Sequence, residues 1–380
     1  MKIFVIVPYL TNFGGATRYA LDMAEFLSDQ GDDVSMVSLY ADRNIFPENK
    51  LKIIDISDKS NLTQSIKFWI NLSKIRRDLY NLIQKEKPDV VLFNHFPCTL
   101  WAQKVDNIPI LGYPQDINLL YTDTYINNLP TGKRWIWRII RYFVRGYDKK
   151  SWKNFDQVVC NSEYSAKHIS KFYDVDPLVI YQGTNTDVFT TQNNVKERSI
   201  LSMGDTYIRR ADLLIKAAKK LKQKRDDFEI WIVGNKGELG NNLENLVSKL
   251  QLEKTVKFFG RVSDEKLAEL HSKSLSVVHL VKEAPFGNIV TEAMACGTPV
   301  ISWIPGGPAE AITHEKDGFL IQENDEQSLI RYIEKFLDEP NLSEKMGKEA
   351  RSKVLEKFDE INCKQQMRDL MQKWISKKQF

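Results

Sequence analysis

Between Glu283 and Ile301 the sequence reads EAPFGNIVTEAMACGTPVI, a Phe-Gly-Asn turn set between two glutamates and running into a short helical stretch. Gly297 after the last helical residue, with Pro299 just beyond, is the usual grammar of a helix stop. The helix therefore starts near Gly287 and Asn288. The first N–H groups of any helix lack intrahelical acceptors and sit at the positive end of its dipole, so they attract oxygen-rich or anionic ligands. Glu292, one turn further in, places a carboxylate where it could accept hydrogen bonds from hydroxyls. The competing reading is an ordinary loop-helix-strand connection with Glu292 on a solvated face.

Three other stretches carry compatible chemistry. After a first apolar strand ending at Pro8, TNFGGATRYALDMAEFL puts Gly14 and Gly15 before a helix, where missing side chains let a phosphate approach backbone. In ILSMGDTYIRRADLLIKAAKKL, Arg209 and Arg210 occupy a strand-to-helix loop suited to clamping a diphosphate. IPGGPAEAI puts Gly306 and Gly307 before Pro308 at a first helical position, with Glu310 beyond. Each alone reads equally well as a plain turn or a solvated basic pair. The glycine spacing is not the dinucleotide fingerprint, which disfavours a nicotinamide-dependent oxidoreductase. The five histidines are scattered and form no ligand cluster with cysteine, so no metal and no resident cofactor are expected.

These stretches need a scaffold, and the periodicity supplies one. Short apolar, β-branched runs at Ile3–Pro8, Val34–Leu39, Val90–Phe93, Ile110–Gly112, Val158–Cys160 and Leu178–Tyr181 alternate with helical patterns. After a polar, loop-like break at Gly183–Ser199, the runs resume at Ile200–Met203, Ile230–Val233, Val256–Phe259, Val277–Leu280 and Val300–Trp303. Such runs are expected of parallel strands covered on both faces. The fold class is α/β: two doubly wound Rossmann-like domains with a ligand cleft between them, at the carboxyl ends of the strands. A chain of 380 residues, 42% hydrophobic and 27% charged, has the size and composition for two globular domains. Four cysteines far apart, no visible signal peptide and no apolar window of spanning length favour a reduced, cytoplasmic setting.

Two helical stretches mix cations with aromatics. KRWIWRIIRYFVRGYDKKSWK carries Lys133, Arg134, Arg138, Arg141, Arg145, Lys149, Lys150 and Lys153 interleaved with Trp135, Trp137 and Trp152. IKFWINLSKIRRDLYNLI repeats the style with Trp69, Arg76 and Arg77. The pattern suits either a peripheral helix on an anionic membrane surface or a helix with one core face and one solvated basic face. A net charge of only +4 and the lack of a recognition motif argue against nucleic acid.

Taken together, the segments VPYLTNFGGATRYALDMAEFL, VVCNSEYSAKHI, VIYQGTNTDVF, the block from Trp231 to Ser274, and EAPFGNIVTEAMACGTPVISWIPGGPAEAITHEKDGFLI resemble the retaining glycosyltransferases of family 4, with the GT-B fold, over nearly the whole chain. The resemblance implies an acceptor-binding domain at 1–185, a nucleotide-sugar-binding domain at 186–362 and a C-terminal helix at 363–380 returning toward the first domain. It implies a UDP- or GDP-linked sugar donor and a glycan, glycolipid or polyprenyl-linked acceptor. Glu292 would bind ribose hydroxyls, and the amides around Phe286, Gly287, Asn288 and Ile289 the donor sugar. Arg209, with Arg210 beside it, falls where the family carries a lysine on the diphosphate. Gly14 and Gly15 would approach that diphosphate from the other domain, and Arg261 and Val262 would lie against the base. Cations and helix ends stabilise a departing nucleoside diphosphate without a metal.

The sequence departs from the family in three places. The first glutamate of the family pair corresponds to Ala284, so that either Glu283 serves from one residue earlier or that carboxylate is missing. Asp205 stands where an arginine is usual, and Gln115 near the position of a common histidine. Glutamine cannot act as a base, and His95, in FNHFP, is a second polar candidate for the catalytic set of Glu283, Gln115 and His95. A non-catalytic sugar-nucleotide-binding or partner-binding subunit is the alternative function.

Overall fold

A computed structural model of the chain describes all residues except 12–13, 48–50, 58–69, 116–130, 193–194, 205–206, 235–239 and 379–380. Trp69 and Asp205 lie outside the described residues, as do the side chains of Lys133 and Trp137. Contacts divide the chain into two units, Met1–Tyr181 with Lys364–Phe380, and Gln182–Cys363.

The first unit is a parallel sheet of seven strands, β1 (Lys2–Ile6), β2 (Asp33–Ser38), β3 (Lys52–Asp55), β4 (Val90–Asn94), β5 (Ile110–Tyr113), β6 (Gln157–Cys160) and β7 (Leu178–Val179). Their order is β3-β2-β1-β4-β5-β6-β7. The helices are α1 (Gly15–Asp29), α2 (Leu72–Glu86), α3 (Thr131–Trp152) and α4 (Glu163–Tyr173). The second unit has β8 (Glu197–Met203), β9 (Glu229–Val233), β10 (Val256–Gly260), β11 (Ser274–His279), β12 (Val300–Ile304) and β13 (Gly318–Gln322), ordered β10-β9-β8-β11-β12-β13. Its helices are α5 (Ala211–Lys222), α6 (Gly240–Leu250), α7 (Asp264–Lys273), α8 (Asn288–Ala295), α9 (Pro308–Ala311), α10 (Glu326–Asp338) and α11 (Pro340–Lys357). The last helix, α12 (Glu360–Lys378), begins in the second unit.

The two-residue period of a strand explains why the β runs are apolar throughout. In β1 and just beyond, Ile3, Val5 and Val7 enter one core cluster, while Phe4 and Ile6 enter another on the opposite face. Met367, Leu370 and Met371 of α12 join the first of these clusters, and Arg368 Nε lies 2.8 Å from the buried Asp32 carboxylate. In each sheet the chain winds outward on one side and then returns to the middle. It leaves β1 toward β2 and resumes at β4. In the second sheet it leaves β8 toward β9 and resumes at β11. The loops after these neighbouring strands therefore diverge, which opens a crevice at their carboxyl ends.

Several expected boundaries move. Two edge strands escape the apolar pattern: β3, bounded by Lys52 and Asp55, and β13, which opens on Gly318. Each pairs on one side only, so it needs less apolar sequence than a central strand. The run at Leu178–Tyr181 shortens to β7, also an edge. The polar break ends earlier than Ser199, because β8 starts at Glu197 and its polar first residues pair with both neighbours, Glu197 with Ser274 and Ser199 with Glu229.

The basic aromatic helix α3 has two characters along its length. Val144, Asp148 and Trp152 recur every four residues and are buried, Trp152 at 2% exposure. Trp152 is thus a core residue and not part of a surface stripe: its ring stacks on Tyr173 of α4 with centroids 3.6 Å apart. Its Nε1 donates to Asp148 at 3.0 Å, and the Tyr173 hydroxyl reaches the same carboxylate at 2.5 Å. Nearer its start, the same helix exposes Trp135 at 68% and Tyr142 at 76%, with Ile139 between them. In α2, Arg76 is turned inward, donating to Tyr147 Oη at 2.6 Å and to the Ala102 carbonyl at 3.3 Å, while Arg77 stays exposed. No helix among the described residues is long and apolar enough to cross a membrane.

Burial pushes the Asp148 carboxyl up to about 7, against the downward pull of its two donors. A group held above its unfolded value binds its proton more tightly when folded, so the stability it contributes is present in acid and is lost as pH rises toward 7. Between about pH 4 and 7, wild type is therefore expected to lose stability relative to Asp148→Asn, at up to about 1.4 kcal/mol per pH unit. Thermal unfolding of both proteins across that range checks the sign, and a difference independent of pH would contradict it.

Candidate functional site

In the second unit the crevice between β8 and β11 is closed below by the loop that leads into α8. Gly287 caps that helix in a left-handed conformation with φ 92°. A Cβ there would lie 2.7 Å from Pro308 Cγ and 3.6 Å from the His279 ring. Glycine is thus required both for the backbone angle and for space. The loop is held from the other side by the Gly306-Gly307 turn before α9. Gly307 N donates to the Ala284 carbonyl at 2.9 Å, and a Cβ on Gly307 would stand 2.0 Å from Pro285 O. Phe286 and Ile289 are buried, and Thr291 Oγ1 donates back to the Asn288 carbonyl at 3.0 Å. The loop therefore has one shape, and it aims the first N–H groups of α8, at Asn288 and Ile289, away from the helix. Glu292 stands half-buried one turn on.

Arg209 ends a short 3-10 turn, Tyr207–Arg209, that follows β8. With Ser202, Met203, Val278, His279, Leu280, Val281 and Ile289 it lines a shallow concavity. Arg210 does not share that wall. It caps α5 in a left-handed conformation (φ 51°), its Nε lies 3.0 Å from Asp212 Oδ1, and its guanidinium sits 6.0 Å from the Trp303 ring centre. The left-handed turn thus separates two adjacent arginines into one at the concavity and one paired along α5.

Arg261 and Val262 follow β10, on the same carboxyl edge but two strands from β8. At about 4.8 Å per strand they stand about 10 Å away along the sheet. Glu283 is half-buried in a left-handed conformation, φ 53°, and Ala284 is buried.

The first unit gathers the other predicted residues at the ends of β1, β4 and β5. Gly14 caps α1 and Gly15 opens it, and a Cβ on Gly15 would meet nothing within 4 Å. Gln115 is buried, and its Nε2 donates to Asn94 Oδ1 at 2.7 Å and lies 3.4 Å from the Ala16 carbonyl. The amide therefore ties β4 to the first turn of α1. His95 follows Asn94 in a left-handed conformation, φ 49°. Burial brings its imidazole down to about 4, so it is neutral at pH 7.

Sequence reasoning passed over two residues that the fold puts in these places, Asn94 and His279. Each is the last residue of a buried strand. A polar side chain in that position of a parallel strand is the signal that would have found both.

A model of glycosyl transferases group 1 matches residues 184–353, and a model of glycosyltransferase family 4 matches residues 13–188. An uncharacterized glycosyltransferase of Haemophilus influenzae is 23% identical over 359 residues, covering 92% of this chain and 94% of that protein. The D-inositol 3-phosphate glycosyltransferase of Streptomyces scabiei is 26% identical over 218 residues, an alignment covering 51% of this chain and 49% of that protein, so it spans about half of that relative. Among solved structures, a sucrose-phosphate synthase from Thermosynechococcus elongatus superposes with a TM-score of 0.81 at 20% identity, covering 98% of this chain and 99% of that one. Anabaena HepE in complex with UDP superposes at 0.78 with 17% identity, covering 98% and 100%. The two family models overlap at residues 184–188 and together span residues 13–353, and the chain belongs to the group 1 glycosyltransferases of GT-B fold.

Proposed function

We propose that the chain transfers a hexose from a UDP- or GDP-linked donor to a glycan, glycolipid or polyprenyl-linked acceptor, retaining the anomeric configuration and using no metal. The observation that carries this reading is the concavity between β8 and β11, where the Arg209 cation and the N-terminal end of α8 converge. A leaving nucleoside diphosphate gains negative charge as the glycosidic bond breaks, and fixed donors around it lower the barrier without reorganising. That neighbours of the same fold were solved with UDP and with UDP-glucose supports such a ligand.

In this reading Arg209 binds the diphosphate, Phe286 to Ile289 offer backbone to the donor sugar, and Glu292 accepts from ribose hydroxyls. Gln115, whose amide nitrogen donates to Asn94, belongs to the acceptor side as a neutral polar group. The acceptor's proton passes to the leaving phosphate, so neither Gln115 nor the neutral His95 has to serve as base. The buried Ala284 in place of a carboxylate favours the second reading, a subunit that binds the sugar nucleotide without turnover. Incubation with UDP-glucose and GDP-mannose separates the two: release of free sugar or its transfer, with the product's anomeric proton matching the donor's and unaffected by EDTA, supports the enzyme.

The exposed Trp135, Ile139 and Tyr142 lie four and three residues apart on α3, with Arg134, Arg138, Arg141 and Arg145 on the same helix. This arrangement favours peripheral binding to an anionic bilayer on the cytoplasmic side, and hence a lipid-linked acceptor. Wild type is expected to pellet with phosphatidylglycerol vesicles and the double variant Trp135→Glu, Tyr142→Glu to stay in the supernatant. Equal behaviour of the two would remove the membrane from the account.

Titration calorimetry with UDP and GDP tests the site itself. Arg209→Ala and Glu292→Ala should each weaken the preferred nucleotide by about 1–3 kcal/mol, the scale of lost hydrogen bonds to a charged group. Arg210→Ala should change affinity less than about twofold, since its guanidinium is paired with Asp212. Equal losses at Arg209 and Arg210 would mean that the two arginines are misassigned.

A further inference from the structure

His279 closes β11 beside the crevice, with 5% of its surface exposed. Its Nδ1 stands 3.5 Å from Ser302 Oγ on the adjacent β12, to which it is also paired in register. The other end of the ring faces the loop before α8. A Cβ on Gly287 would lie 3.6 Å from both Cε1 and Nε2. The imidazole is therefore seated between a hydroxyl on one strand and the glycine that caps α8, and it lines the same concavity as Arg209.

Apart from Arg209 and Ser202 the lining is apolar, formed by Met203, Val278, Leu280, Val281 and Ile289. A polar ring at that position is costly unless both nitrogens are used. Burial, with the Arg209 cation adding to it, brings the imidazole down to about 3, so the ring is neutral and carries one proton. A neutral ring has one donor and one acceptor nitrogen. We assign the Ser302 hydroxyl as donor to Nδ1, which puts the ring proton on Nε2, the end that faces the start of α8.

We propose, resting on the donor-site reading above, that His279 is a donor-binding residue whose Nε2–H hydrogen-bonds an oxygen of the distal phosphate of the nucleoside diphosphate. Arg209 supplies charge and His279 supplies direction. The imidazole thereby makes the site discriminate a diphosphate from the corresponding monophosphate, which has no second phosphate to meet it.

The test is calorimetric titration of UDP, UMP, GDP and GMP into wild type, His279→Leu, His279→Gln and His279→Asn. Wild type should bind one diphosphate. In His279→Leu that affinity should fall about tenfold, equivalent to about 1.4 kcal/mol, while the matching monophosphate changes less than about twofold. His279→Gln, whose amide nitrogen reaches the Nε2 position, should recover most of the loss, and His279→Asn, which is shorter, should not. Equal losses for diphosphate and monophosphate, or no loss, would overturn the assignment and leave the donor site standing. A wild-type protein that binds neither diphosphate would overturn both. If His279→Leu does not fold, the Gln and Asn variants decide: a diphosphate affinity restored by Gln and weakened by Asn supports the contact, and equal affinities refute it.

Discussion

The second unit depends on a steric constraint at two glycines. Gly307 leaves no room for a Cβ against the Pro285 carbonyl, and Gly287 leaves none against Pro308 while holding a left-handed angle. These contacts lock the segment 283–289 onto the turn before α9, and they decide where α8 begins and which way its first amides face. The apolar anchors Ala284, Phe286 and Ile289 would fit several loop shapes. The glycines select one.

A fixed helix end becomes useful only where charge can meet it in a partly dry setting. The strand order brings β8 and β11 side by side, so Arg209 from the loop after β8 and His279 at the end of β11 face one concavity with Ile289 of α8. In such a setting a cation attracts an anion more strongly than in bulk water, and a neutral imidazole directs a hydrogen bond without adding repulsion to Arg209. The first unit repeats the geometry with neutral groups: Asn94, His95 and Gln115 gather at the ends of β4 and β5 beside the opening of α1. A region rich in neutral hydrogen-bonding groups suits hydroxyls better than phosphates.

Much of this was legible in the chain itself. Central strands announced themselves as apolar β-branched runs because both their faces are covered, and the Gly-Thr-Pro stop fixed the end of α8. Edge strands β3 and β13 did not, because strands paired on one side only admit lysine, aspartate and glycine that dilute the pattern. The sequence could not rank Arg209 above Arg210, since the choice is made by a left-handed residue and a carboxylate two positions on. His279 was passed over, because it sits inside the apolar run Val277–Leu280. The sequence left Trp152 open between a membrane-facing stripe and a core face, because the cations around it hid the four-residue spacing of Val144, Asp148 and Trp152.

The central claim is that the second unit holds a nucleoside diphosphate, and a thermal-shift series with UDP, GDP, CMP, dTDP and NAD tests it most directly. A ligand at about a hundred times its dissociation constant stabilises by about 2.7 kcal/mol, enough to move the melting temperature by a few degrees. The account predicts such a shift with one nucleoside diphosphate and none with NAD. A shift with NAD alone, or with none of the five, would contradict it.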